Sequence, residues 1–151
     1  GWMKQFSGNP MNLAYIVLAH KNPEQVVRLV HRLNTDTSTF LIHLDSQMAP
    51  AAYAEIVAGL ESLDNVLYLP RLHAYWGGWP IMEVTIQALQ WIVARQVPCD
   101  YAFLLSGQCY PLVPAATIRA TLEAAQGRSF LDHFPLPAAC CSCAAPLRSP
   151  T

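Results

Sequence analysis

Apolar residues in this chain come in short unbroken runs, with amphipathic stretches between them. Leu13–Ala19 (LAYIVLA), Thr39–Leu44 (TFLIHL) and Tyr101–Leu105 (YAFLL) are too short for helices. Runs of this kind, bounded by polar turns, predict parallel strands buried on both faces. Asn65–Leu69 predicts a shorter strand between the second and fourth, and Ser129–Leu131 predicts a fifth. The period then changes between strands. Asn22-Pro23-Glu24-Gln25 reads as a helix start, with a capping Asn, a proline at the first helical position and Gln at capping-box spacing. Val26, Val27, Leu29, Val30 and Leu33 give that helix an apolar face. Pro50–Leu60 predicts a second helix, Pro80 opens a long third, and Pro114–Gln126 forms a fourth closed by Gly127. Strand and helix alternate, which predicts a doubly wound α/β sheet with right-handed crossovers.

In a parallel sheet the carboxyl ends of all strands share one edge, and open α/β sheets bind ligands there. That edge receives His20-Lys21, Asp45-Ser46, the Arg71–Trp79 loop (RLHAYWGGW) and the Ser106–Tyr110 loop (SGQCY). Asp45 suits ribose hydroxyls or a base N–H through charge-assisted hydrogen bonds, or it caps the helix that follows. Trp76 offers a ring face to a planar group, or Trp76 and Trp79 both belong to the core. Gly77 and Gly78 precede a helix whose N-terminal N–H groups suit a phosphate. Gly107 permits a sharp turn or close approach to a ligand. His43, inside a strand, reads as a core histidine, and His20 as either a core or a site residue. Together these groups suit a nucleotide. No G-x-G-x-x-G follows the first strand and no Walker loop is present, so the dinucleotide and P-loop readings lose their main support.

Composition narrows this further. At 151 residues the chain is one domain or part of one. A hydrophobic content of 53% with 13% charged residues fits a buried sheet covered by helices. The net charge of -1 leaves no electrostatic footprint for nucleic acid or an anionic membrane. No apolar run reaches the length of a bilayer span. Residues 1–10 lack the apolar core of a signal peptide and read as an extension or cloning scar. The cysteine count is five, an odd number, and three of them (Cys140, Cys141, Cys143) crowd the last dozen residues. That is no secreted disulfide framework, and it implies a reducing, cytoplasmic compartment. With His133 the cysteine cluster lacks the spaced pairs of a structural zinc site. Cys109 as a nucleophile would need His20 or His73 as its base, a weak basis for a hydrolase. Beyond Asp132 the periodicity stops. Residues 11–133 are therefore expected to form the domain, and residues 134–151 an unstructured or out-of-frame tail.

The segments AYIVLAHKNPEQVVRLVHRL, FLIHLD, RLHAYWGGWPIMEVTIQAL, DYAFLLSGQCYPL and GRSFLD, in that order, resemble the Core-2/I-branching glycosyltransferases. That family includes β-1,6-N-acetylglucosaminyltransferases and peptide O-xylosyltransferases. HLD, WGG and LSG-x-x-YPL are the most specific matches, and the likeness runs from about Leu13 to Asp132. The resemblance implies a GT-A type fold, a Rossmann-like nucleotide-sugar-binding sheet with flanking helices. It also implies a UDP-GlcNAc or UDP-xylose donor, a carbohydrate or other hydroxyl-bearing acceptor and an inverting transfer. Carried over by position, His20 and Asp45 would line the uridine pocket. Trp76 would lie against the uracil, with Gly77, Gly78 and Trp79 continuing that wall. Ser106 and Gly107 would lie near the donor, and Asp132 would contact the acceptor. Branching members work without a metal ion or other cofactor, and this chain has no Asp-x-Asp motif. Family members are often membrane-associated.

Two departures qualify the likeness. The family reads Ser-Gly-x-Asp-Tyr-Pro where this chain has Cys109 in place of the Asp. The later part of the family domain supplies the catalytic base and the basic residues that hold the diphosphate. No catalytic residue is therefore assigned here, and the C-terminal part of the domain is expected to be missing. The alternative is a non-catalytic nucleotide-binding fragment or pseudogene product.

Overall fold

The computed structural model describes residues 10–73 and 79–130. Within them the elements run β1 (Leu13–Ala19), α1 (Pro23–Leu33), β2 (Ser38–Leu44), α2 (Pro50–Leu60), β3 (Val66–Tyr68), α3 (Trp79–Ala94), β4 (Tyr101–Ser106) and α4 (Ala115–Ala125). Among the described residues the sheet has four parallel strands in the order β3-β2-β1-β4. Residues 1–9, with most of the expected extension, and the expected tail at 134–151 lie outside the described residues.

The unbroken apolar runs have a direct cause. β1 and β2 are the inner strands, and side chains alternate between two cores with the period of a strand. Leu13, Tyr15, Val17 and Ala19 face a core shared with α1, α2 and α4. Ala14, Ile16 and Leu18 face a second core shared with α3. The steps β1-α1-β2-α2-β3 move across the sheet in one direction with their helices on one face. The β3-α3-β4 connection crosses back over the opposite face, so the strand order reverses between β1 and β4. That reversal is the topological switch point where doubly wound sheets open a crevice.

Several expectations are corrected. Tyr101–Leu105 is not buried on both faces. β4 is an edge strand among the described residues, with exposed Ala102 and Leu104 alternating with half-buried Tyr101 and Phe103. Asn22 makes no side-chain cap to α1, because its backbone takes the left-handed conformation at φ 54°, which Asn tolerates better than most residues. Gln25 does not complete a capping box. Its Nε2 instead donates to the Cys109 carbonyl at 3.1 Å and ties α1 to the loop after β4. α4 ends one residue early, with Gln126 (φ 51°) as its C-cap and Gly127 (φ 82°) continuing the left-handed turn. Ser129 and Phe130 form no strand, and Leu131 lies outside the described residues.

Tyr15 anchors the first core. Its ring stacks between Phe40 and Phe103, with centroids 5.2 Å away on each side. Its hydroxyl is buried and has no hydrogen-bond partner among the described residues. Burial pushes the phenol pKa up, against a smaller downward pull from Arg119. A buried hydroxyl without a partner carries a desolvation penalty and contributes no bond in return. Tyr15→Phe keeps both stacks, so it is expected to be neutral or to stabilise by up to about 1 kcal/mol. Chemical denaturation checks this, and a clear loss of stability would show that the hydroxyl is satisfied in solution.

Candidate functional site

The site is built where the four strands end. β1 and β2 pair to Ala19↔Leu44, and β1 and β4 pair to Leu18↔Ser106. The Asp45 N–H donates to the Ala19 carbonyl at 2.9 Å, and the Gly107 N–H donates to the Leu18 carbonyl at 2.8 Å. These extensions of the ladder set His20, Asp45, Ser106 and Gly107 side by side at one sheet edge. His20 and Ser106 flank the switch point between β1 and β4.

Asp45 is the best-defined group of the four. It is 4% exposed and is the one buried carboxylate among the described residues. Its Oδ1 accepts the Gln47 N–H at 2.7 Å, closing an Asx turn. It does not cap the following helix, whose N-cap is Ala49 with no side-chain bond. Burying a carboxylate is costly unless polar partners meet it, and basic groups arrive from the segment after β3. His73 Nδ1 lies 3.3 Å from Asp45 Oδ1. Arg71 donates to the Asp45 carbonyl at 2.9 Å and to the Leu44 carbonyl at 3.3 Å. Its guanidinium lies 4.6 Å from the centre of the Tyr53 ring. Between these two residues, the Leu72 N–H donates to His43 Nε2 at 3.0 Å, and the Leu72 carbonyl accepts the Ser46 N–H at 3.2 Å.

Other expected site residues fall out differently. His43 is the core histidine its strand position implied, 1% exposed, and it also fastens the Leu72 peptide. His20 is half-buried. Ser106 Oγ accepts the Gln108 N–H at 3.2 Å and so braces its own turn. Packing by itself requires a glycine at Gly107. A Cβ there would stand 2.9 Å from both Ala19 Cβ and Val26 Cγ2. Trp79 opens α3 and is 72% exposed, which rules out its reading as a core aromatic. Trp76, Gly77, Gly78 and Asp132 lie outside the described residues. Cys109 is an exposed free thiol, and His73 meets Asp45 rather than serving it as a base. Cys140, Cys141, Cys143 and His133 also lie outside the described residues.

The sequence reading missed the pairing of Arg71 and His73 with the Asp45 turn. The signal was present in outline, because β3 lies beside β2 and two basic residues follow it closely. Chemically, the edge offers a buried carboxylate for hydroxyl or N–H donors, an imidazole and a hydroxyl beside it, and a glycine-bearing loop across the switch point. Among the described residues no three His, Cys, Asp or Glu side chains gather as a metal site. Among them, too, no helix is long and apolar enough to cross a membrane.

A family model described as Core-2/I-Branching enzyme matches residues 13–143. The chain is also similar to a human N-acetyllactosaminide beta-1,6-N-acetylglucosaminyl-transferase, with 25% identity over 118 residues. That match covers 78% of this chain and 29% of the relative, so the chain spans less than a third of the relative's length.

Proposed function

Since the chain belongs to the Core-2/I-branching enzyme family, we propose that its carboxyl edge binds the nucleotide of a UDP-sugar, UDP-GlcNAc or UDP-xylose, in glycosyl transfer to a hydroxyl-bearing acceptor. The Rossmann-like α/β sheet agrees with a GT-A type fold. The observation that carries the proposal is Asp45: a buried carboxylate at the end of an inner strand, beside the switch point, braced from the segment after β3. Carboxylates in this position accept strong hydrogen bonds from hydroxyls. In this reading His20 shares the uridine pocket, Ser106 lies near the donor, and Trp76 with Gly77, Gly78 and Trp79 forms the wall against the base. Asp132 belongs to the acceptor side.

Binding is proposed to be independent of metal, since the chain carries no Asp-x-Asp pair to hold one. Calorimetric titration with UDP, against CDP and ADP as controls, tests the proposal. UDP is expected to bind, the controls to bind more weakly, and EDTA to change nothing. Loss of UDP binding in EDTA, restored by Mn²⁺, would overturn the metal-independent part. Equal binding of all three nucleotides would overturn the uridine pocket.

A further inference from the structure

We propose that His43 is a positioning residue for this edge: its neutral imidazole docks the Arg71–His73 strap over Asp45, so nucleotide binding weakens when His43 is protonated. The proposal rests on the reading of this edge as a UDP site. Its basis is a single contact with one chemical meaning. The Leu72 backbone N–H lies 3.0 Å from His43 Nε2. A peptide N–H only donates, so Nε2 must present a lone pair, and the ring proton sits on Nδ1. Protonated, the ring would point an N–H at another N–H. With His43 only 1% exposed, water is poorly placed to mediate between them.

What hangs on that contact is the brace around Asp45. The Leu72 peptide is held from both ends, by His43 at its N–H and by the Ser46 N–H at its carbonyl. Arg71 on one side reaches the Asp45 carbonyl, and His73 on the other reaches the Asp45 carboxylate. Releasing Leu72 therefore loosens both basic arms together.

Among the described residues the charged surroundings of His43 are few. Asp45 follows it on its own strand, and Arg71 comes from the strap, with His73 beyond it on Asp45. The neighbouring β1 carries no charged residue and is followed on this face by the titratable His20, β3 carries none, and α3, which covers this sheet face, carries only the exposed Glu83. Burial lowers the His43 pKa from the ordinary imidazole value of 6.5, Asp45 and then the Leu72 backbone pull it part of the way back up, and Arg71 adds to the lowering. The net direction is down, so the ring is neutral near pH 7. Between that lowered value and 6.5 the unfolded chain binds more protons than the folded one. Stability supplied by the strap is therefore complete above 6.5 and is lost as the pH falls toward the lowered value.

The test compares wild type, His43→Gln and His43→Leu. Glutamine keeps an acceptor for the Leu72 N–H and does not titrate, whereas leucine removes the acceptor. UDP itself gains a proton in this range, so the informative quantity is the difference between proteins titrated side by side. Wild type is expected to lose about ten-fold more UDP affinity than His43→Gln as the pH is lowered from neutral through the range in which the His43 ring gains its proton, the worth of one or two hydrogen bonds. His43→Leu is expected to bind weakly at every pH. The Leu72 amide provides a readout without ligand. Its hydrogen-exchange protection factor should fall on acidification in wild type and hold in His43→Gln. Parallel pH profiles and parallel protection in those two proteins would overturn the inference. Failure of wild type to bind UDP at neutral pH, with Leu72 protection behaving as stated, would instead overturn the nucleotide reading and with it the binding half of this one.

Discussion

Asp45→Ala is expected to weaken UDP binding by about 10- to 100-fold, the consequence of losing charge-assisted hydrogen bonds worth ~1.5–3 kcal/mol. The argument starts from the cost of the side chain's position. A carboxylate held at 4% exposure gives up most of its hydration. The fold offsets that with the Gln47 N–H and with His73. A carboxylate accepts several hydrogen bonds at once, which lets one group brace the turn and also meet a ligand's hydroxyls. Asp45→Asn separates these duties. Its amide oxygen keeps an acceptor for Gln47, so the turn should survive, while the charge is lost. An intermediate loss of affinity at near-native stability is therefore expected for Asn, and the full loss for Ala. Calorimetry reads the affinities and thermal unfolding reads the fold. A folded Asp45→Ala protein with undiminished UDP affinity would remove Asp45 from the site and with it the main support for a uridine pocket here.

The edge works as a unit because of strand order. Asp45 and His20 end the two inner strands, whose ladder is extended by the bond from the Asp45 N–H to the Ala19 carbonyl. The strap from β3 leans in from one side, and the Ser106–Gly107 turn of β4 closes the other. Each inner strand end is thus flanked by a loop from an outer strand. A ligand proposed for this edge would meet groups already held in place by the fold, which reduces the ordering cost of binding.

What could be read from the sequence followed from burial. β1 and β2 are covered on both faces, so their runs are unbroken, and Leu13–Ala19 was legible to the residue. Asp45 was legible as a site candidate because a polar residue directly after such a run must lie at the sheet edge. Features set by distant partners were not legible. Gln25 looked like a capping residue, yet its partner is the Cys109 carbonyl, 84 positions away. His43 looked like a core histidine and is one, but its bond to Leu72, 29 positions on, carries no local trace. β4 read as buried because the alternation of its exposure is masked by apolar residues on both faces, Leu104 among them at 52% exposed. No local pattern distinguishes an apolar edge strand from an inner one.

Gly107 brings the same lesson to a residue that invites a ligand-based account. A glycine in a loop at the carboxyl edge suggests backbone approaching a phosphate or a sugar. The geometry gives a packing cause. The Gly107 N–H is bonded to the Leu18 carbonyl, which draws the loop against the end of β1 and the first turns of α1. An added Cβ would meet Ala19 Cβ and Val26 Cγ2 at 2.9 Å and the Ala19 backbone Cα at 3.2 Å. Val26 is fully buried and Ala19 nearly so, and a backbone atom cannot step aside as a side-chain tip can. Gly107→Ala is therefore expected to destabilise the protein by about 1–3 kcal/mol, the usual cost of overpacking a core, and to lower its melting temperature by several degrees. Shortening the neighbour relieves part of the clash. Val26→Ala in the Gly107→Ala background should thus cost less than Val26→Ala alone, a coupling that a double-mutant cycle measures directly. If glycine were there for a ligand, Gly107→Ala would unfold at the wild-type temperature and lose UDP affinity alone. That outcome, together with strictly additive energies in the cycle, would show that Gly107 faces the site and not the core.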